Sequence, residues 1–355
     1  MIFLKRFLLL LVIFLFPVSV FARSSSTIVV DGDSGRILYE NNVHDSMLIA
    51  SITKIMTCIL TIENVDLDSE VEIGDEVLEM YGTNIYVQVG EKLTIRDLLY
   101  GLMLRSGNDA SVVLAKNVFG SEEKFVDMMN KKASELGMNY TKFENPHGLD
   151  ESTKNYSTAY DMSLLAKYAY NNKTYRKIVS TKKYVTKSNL KSYVWYNRMS
   201  LINDYKYCVG GKNGYTPKAG KTLVSYASKN NMNLIIVSLN DSDIYNNHEK
   251  LYNIYFNRYK KYKIIDREDF KIDSSLIGMD VYLKDSFSYV LEENELDNIS
   301  TLIKIDNKKS NVVGKVIISL DGKRIGSLNI YTKNKKEDKN NIFKKLKSLF
   351  VGKSK

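Results

Sequence analysis

Two β-patterned stretches far apart in the chain constrain the fold most. "TIVVDGDSGRILYE" (27–40) alternates, turns at Asp33-Ser34-Gly35 and alternates again, which predicts a β-hairpin. "TLVSYASKNNMNLIIVSL" (222–239) predicts two more strands joined by a polar turn. The chain between them reads as helix. Met47 to Glu63 is apolar and free of Gly and Pro, so it predicts a largely buried helix, and Leu93 to Gly120 continues with helical periodicity. Ser121 is placed to cap a further helix, with Phe125, Met128, Met129, Ala133 and Leu136 on one face and Gly137 as its stop. His248 to Tyr259 is helical again. Strands, then helices, then strands imply an α+β domain whose sheet joins the two ends of the segment.

From about Phe270 the texture changes. "MDVYL", "SFSYVL", "STLIKI", "VVGKVIISL" and "IGSLNIY" are short strand-like runs separated by Asp, Asn, Lys and Gly. They predict a small all-β domain. It holds no catalytic constellation, so support or partner binding is its expected role.

Charge and hydropathy define the two ends. The net charge of +10 sits mostly outside the body of the chain, because residues 23–334 carry only +2. That excludes a globally basic nucleic-acid binder. Lys5 and Arg6 precede the uncharged run "FLLLLVIFLFPVSV", and "VFA" ends at Ala22. This is the layout of a cleaved signal peptide over residues 1–22; its apolar run is shorter than the ~20 residues of a membrane span and is interrupted by Pro17. The protein is therefore expected to be extracytoplasmic. At the other end, "NIFKKLKSLFVGK" follows the polar linker "TKNKKEDKN". Ile342, Phe343, Leu346, Leu349 and Phe350 fall on one helical face, with Lys344, Lys345 and Lys347 around the rest. Residues 335–355 thus read as a basic amphipathic helix suited to an anionic membrane surface. Cys58 and Cys208 are the only cysteines, and nothing in the sequence fixes their separation. His44, His147 and His248 have no metal-ligand spacing, so no metal and no cofactor are expected.

Three short motifs carry the chemistry. "LIASITKIMT" holds Ser51 and Lys54 at i and i+3; if Ser51 opens the helix, both lie on one face. A serine hydroxyl is a weak nucleophile, and a lysine held neutral by burial and a second cation can take its proton. "LRSGNDAS" offers Ser106, Gly107 and Asn108 in a turn between apolar segments. "GGKNGYT" offers Lys212 on a strand flanked by glycines. Alone, each reads as an ordinary surface pair, cap or strand lysine.

In this order and spacing the motifs S-x-x-K, S-x-N and K-x-G resemble those of the serine penicillin-recognising enzymes. "ASITKIMT", "GEKLTIRDLLYGLMLRSGNDAS", "NPHGLD", "YSTAYDMSLLA" and "VWYNRMSLI" narrow the resemblance to the low-molecular-mass D-alanyl-D-alanine carboxypeptidases, peptidase family S11, over roughly Ile28 to Tyr259. The resemblance implies an α+β, β-lactamase/transpeptidase-like catalytic domain (antiparallel sheet with helices) at 23–265. It implies a small all-β domain at 266–334 and a membrane-anchoring tail at 335–355. It also implies a serine carboxypeptidase that removes the terminal D-alanine from peptidoglycan stem peptides ending in D-Ala-D-Ala, is acylated by β-lactams and works on the outer face of the cytoplasmic membrane. Ser51 would be the nucleophile, Lys54 the general base and Ser106 a proton relay to the leaving amine. Asn108 would hold the substrate amide. Lys212 would face the terminal carboxylate, and the backbone N–H groups of Ser51 and Tyr215 would form the oxyanion hole. The glycines, Gly214 among them, would keep the strand bare for substrate. Asn213 departs from the family's usual threonine; its amide has two donors for the same carboxylate, which predicts retained activity with altered affinity. His147 is assigned a turn or packing role, and Arg198 a place along the groove. Two rival readings remain: a β-lactamase, with Glu144 in the interval where a deacylating glutamate would fall, and a catalytically degenerate peptide-binding protein.

Overall fold

The computed structural model describes residues 25–272, 280–305 and 311–332. The N-terminal segment 1–22 and the tail 335–355 lie outside them. The chain divides into two compact units. One comprises the chain up to Val30 with Tyr39–Tyr226 and Ile235–His248; the other comprises Asp31–Leu38, Ala227–Leu234 and Glu249 onward.

Strands β1 (Ser26–Asp31), β2 (Ile37–Asn41), β3 (Cys208–Thr216), β4 (Gly220–Lys229) and β5 (Met232–Leu239) form one sheet in the order β2-β1-β5-β4-β3. The N-terminal hairpin thus joins strands from two hundred residues later, as the pattern requires. β4 and β5 turn at Asn230 and Asn231, both with positive φ, the conformation of a two-residue I′ turn. Every residue of β1 is buried, and so is nearly all of β5, so the central strands are covered on both faces.

Helix α1 (Lys54–Asn64) runs through the core with Lys54 to Thr61 all buried, in keeping with a segment that is apolar on every side. It begins later than the sequence suggests. Met47–Leu48 forms a short strand and Ala50–Thr53 a 3-10 turn, so Ser51 precedes the α-helix rather than opening it. The helical run after Leu93 is also broken. Helix Ile95–Tyr100, capped by Thr94 and Asp97, passes into a π-turn over Gly101–Arg105, and the chain then bends at Ser106 and Gly107 before α2 (Asn108–Phe119). The capped helix after Ser121 spans Glu122–Glu135.

In the second unit, Val281–Leu283, Lys323–Thr332, Val312–Leu320 and Ile299–Ile305 lie side by side in that order, and Lys260–Ile265 pairs with Phe287–Leu291. Leu283, Val313, Val316 and Ile330 form the buried centre. Arg36 donates to Val290 O and grips the Glu295 carboxylate with both guanidinium nitrogens.

Candidate active site

The 3-10 turn places Ser51 one full turn from Lys54. With three residues per turn, i and i+3 stand directly over one another. Lys54 Nζ lies 3.1 Å from Ser51 Oγ, and Lys54 is fully buried while Ser51 is partly open. Nζ also lies 2.7 Å from Asn108 Oδ1 and 2.5 Å from the His147 carbonyl. Burial, and after it the positive charge of Lys212, hold the Lys54 ammonium well below the usual lysine range, while Asp109 pulls it back up. As a neutral amine, Lys54 keeps two donors for Asn108 and His147 and turns its lone pair to the Ser51 hydroxyl.

Backbone packing fixes this pair. Ala50 has φ +47°, a strained conformation for a residue with a side chain. Gly148 of "NPHGLD", at φ +92°, lies so close that a Cβ there would stand 2.0 Å from Ala50 O and 3.0 Å from Ser51 N. On β3, a Cβ at Gly214 would meet Thr222 Oγ1 at 2.6 Å and Ser51 N at 2.7 Å. Two glycines therefore clasp the backbone at Ser51, and the β3 edge comes to rest against its amide.

Asn108 opens α2. Its amide donates to Tyr81 O at 2.8 Å, and its backbone N–H to Thr83 O at 2.8 Å. Next to it, the buried Asp109 carboxylate accepts from the N–H groups of Ile85, Tyr86, Val87 and Ala110. Burial raises its pKa, and those four donors oppose the rise. Ser106 stands in left-handed backbone at φ +66° and is nearly buried. It makes no hydrogen bond to Ser51, Lys54 or Lys212 among the described residues.

Lys212 is buried on β3, with Nζ 2.6 Å from Asn213 O. Burial first, and the Arg198 guanidinium second, push its pKa down to about 7. Asn213 is half-buried and Tyr215 is 64% exposed. Arg198 donates its N–H to Leu104 O at 3.1 Å and reaches Thr83 Oγ1 at 3.4 Å.

Sequence reasoning missed the parts of the site made by backbone. The His147 carbonyl is a direct partner of Lys54, while the ring is buried, accepts from Leu149 N–H and has its pKa lowered to about 3, mainly by burial. Nothing in the residue type signals a carbonyl's role; the glycine that follows is the available hint. Both carboxylate oxygens of Glu144 are engaged, one by Lys142 Nζ at 2.6 Å and the other by Lys154 N–H at 2.8 Å. Both cysteines are free thiols. Burial raises the Cys58 thiol strongly and the half-buried Cys208 to about 11.

The model of the D-alanyl-D-alanine carboxypeptidase family, peptidase S11, matches residues 19–243. The chain belongs to this family. Among curated relatives, DacF of Bacillus subtilis is 38% identical over 221 residues, which are 61% of this chain but only 57% of that protein. DacC of Escherichia coli is 29% identical over 330 residues, 84% of this chain and 80% of its own. Among solved structures, penicillin binding protein 5 from Haemophilus influenzae overlays with a TM-score of 0.72 at 26% identity, covering 87% of this chain and 96% of that one. A D-alanyl-D-alanine carboxypeptidase from Mycobacterium tuberculosis overlays with a TM-score of 0.63 at 29% identity, covering 65% and 90%. The S11 carboxypeptidases share the α+β transpeptidase-like fold described above.

Proposed function

We propose that this chain is a serine D-Ala-D-Ala carboxypeptidase acting on peptidoglycan stem peptides. The observation that carries the reading is the buried Lys54 amine, bracketed by Ser51 Oγ, Asn108 Oδ1 and the His147 carbonyl. Lys54 takes the Ser51 proton as Oγ attacks the carbonyl between the last two D-alanines. The Ser51 and Tyr215 N–H groups receive the oxyanion, a contribution worth about 10²–10³ in rate. The C–N bond breaks, and Ser106 passes a proton to the leaving D-alanine nitrogen. Water then cleaves the ester, with Lys54 again as base, and frees the shortened peptide. Lys212 draws the terminal carboxylate, and Asn213 and Asn108 orient the peptide beside Gly214. No metal or cofactor enters the scheme. β-Lactams acylate the same serine.

The organisation proposed with it is a cleaved leader (1–22), a catalytic segment (23–265), a β domain (266–334) and a basic tail (335–355) that holds the protein to the outer face of the membrane. The sequence of the two ends supports this.

The test is D-alanine release from a peptide ending in Lys-D-Ala-D-Ala by chain 23–355, beside Ser51→Ala. Release that disappears in the variant, by about 10⁴-fold or more, is expected. A folded parent that binds the peptide and releases no D-alanine overturns the proposal in favour of a degenerate site. Rapid turnover of a chromogenic cephalosporin in its place points to a β-lactamase. Asn213→Thr is expected to keep turnover and change penicillin affinity; unchanged affinity refutes the assigned role of Asn213.

A further inference from the structure

Among the described residues, strand Ile299–Ile305 is the outer edge of the C-terminal sheet, paired on one side only, to Val312–Leu320. Six of its seven residues are exposed, and Leu302, Ile303 and Ile305 are 54%, 44% and 38% exposed. The register divides them between two faces. Ile303 lies opposite the buried Val316, and Ile305 opposite Gly314, so both belong to the core face and overhang it; Leu302, opposite Ile317, points the other way. Proteins blunt an edge strand with charge, proline or cover; this one exposes Ile303 and Ile305 on one face and Leu302, between Ser300 and Lys304, on the other.

The one charge on the strand is arranged unusually. Lys304 lies directly across from Lys315 on the outer face, and neither has a carboxylate partner among the described residues. Like charges facing each other across strands repel, so this pair suits an anionic counterpart. Its place in the sheet indicates which one. Ile305 pairs with Gly314, and Gly314 with Ile330, while Thr332 N donates to Asn311 O. The last described residue, Thr332, is therefore at the same end of the sheet as Ile305, two strands away, or about 10 Å. The sequence that continues from there carries eight lysines between Lys335 and Lys355 against Glu337 and Asp338.

We propose that this end of the sheet is a second lipid-contacting surface. Leu302, Ile303 and Ile305 enter the boundary between headgroups and acyl chains of an anionic bilayer, and Lys304 and Lys315 meet its phosphates. This rests on the membrane-surface reading of the tail and extends it from one point of attachment to two. Two contacts joined by a short tether bind as one unit, so the loss of either weakens both. A second copy on the same edge would gather four uncompensated lysines along one seam, which disfavours it as the occupant.

The experiment is co-sedimentation of chain 23–355 with vesicles of equimolar phosphatidylglycerol and phosphatidylcholine, and with pure phosphatidylcholine. Four forms are compared: the parent, the edge variant Leu302→Ser/Ile303→Ser/Ile305→Ser, the tail variant Phe343→Ser/Phe350→Ser, and both together. D-Alanine release from a soluble peptide and the circular dichroism spectrum check that each is folded. The edge variant is expected to bind anionic vesicles about 10-fold less tightly. The tail variant is expected to keep weak binding that the combined variant lacks. An edge variant that binds like the parent, with all binding lost in the tail variant, overturns the second contact and leaves the tail reading intact. Full binding by the combined variant overturns both. An edge variant whose vesicle binding is unchanged but whose mass in solution falls from dimer to monomer assigns the edge to a second copy instead.

Discussion

Two of the described edge strands have opposite designs. β3 is stripped: Gly210, Gly211 and Gly214 stand where neighbouring atoms leave no room for a Cβ, Lys212 is withdrawn into the protein, and Tyr215 is its only largely exposed side chain. Strand Ile299–Ile305 is dressed: it carries Leu302, Ile303 and Ile305 into solvent with Lys304 among them. Bare backbone offers N–H and C=O groups to a peptide that must lie close and leave again. A row of apolar side chains has no use for a peptide's polar backbone and suits an apolar medium. What the two edges teach is that an edge strand's task is set by its side chains, because both strands close a described sheet with one side of the backbone free of a neighbouring strand.

The largest test of this contrast is to dress the bare edge. Gly214→Ala drives a Cβ into Thr222 Oγ1 and Ser51 N, and neither can retreat. Penicillin acylation should fall by about 10²–10³-fold, read by a stopped-flow fluorescent penicillin. Acylation at the parent rate would break the assignment of β3 as the substrate-bearing edge.

Lys212→Met comes next. It removes the cation meant for the substrate's carboxylate, and kcat/KM for the D-Ala-D-Ala peptide should fall by about 10²-fold. Stability should move the other way. The folded pKa of Lys212, about 7, lies below its unfolded value, so the unfolded chain binds the extra proton between pH 7 and 10.5. That cost is complete below about pH 7 and vanishes above 10.5. Replacing the lysine should raise Tm at neutral pH by roughly 2–4 °C, measured by calorimetry.

The same value fixes a pH dependence. Above about pH 7 Lys212 loses its charge, so kcat/KM for a carboxylate-bearing peptide should decline on the alkaline side. Acylation by an uncharged serine-directed reagent should lack that decline. On the acid side the rate falls as Lys54 protonates, and Lys212, charged there, delays the fall by holding Lys54 neutral.

The dressed edge gives a smaller effect. A Cβ at Gly314 would stand 2.3 Å from Lys304 O, so Gly314→Ala should loosen the edge strand and cost about 1–3 kcal/mol in the C-terminal unit, with penicillin acylation unchanged. The smallest change is expected for His147→Asn. The backbone carbonyl that serves Lys54 remains, and the ring, with a pKa near 3, is neutral at working pH, so the pH profile should keep its shape.

What could be read from the sequence was periodicity and side-chain chemistry. The joining of residues 27–40 to 222–239, the buried helix behind Ser51 and the strands after Phe270 all follow from the spacing of apolar residues. The meeting of Ser51, Lys54 and Asn108 was implied instead by the resemblance of their motifs to those of the serine penicillin-recognising enzymes. What could not be read was made by backbone or by exposure. The 3-10 turn under Ser51 depends on the strained Ala50 and on Gly148, ninety-odd residues away. The His147 carbonyl has no signature in the residue type. "ISTLIKI" looks like a half-buried strand, because alternation says which residues share a face and is silent on whether anything covers it.

The clasp on Ser51 also bears on how this site can change over generations. One route by which a line of cells escapes an acylating inhibitor is to alter side chains beside the serine it targets. Gly148 and Gly214, where a Cβ would stand 3.0 and 2.7 Å from Ser51 N, have no room for a side chain. Heritable variation is thereby channelled outward, to Asn213 and the exposed Tyr215, where a new residue can alter which molecules enter without disturbing the serine that attacks them.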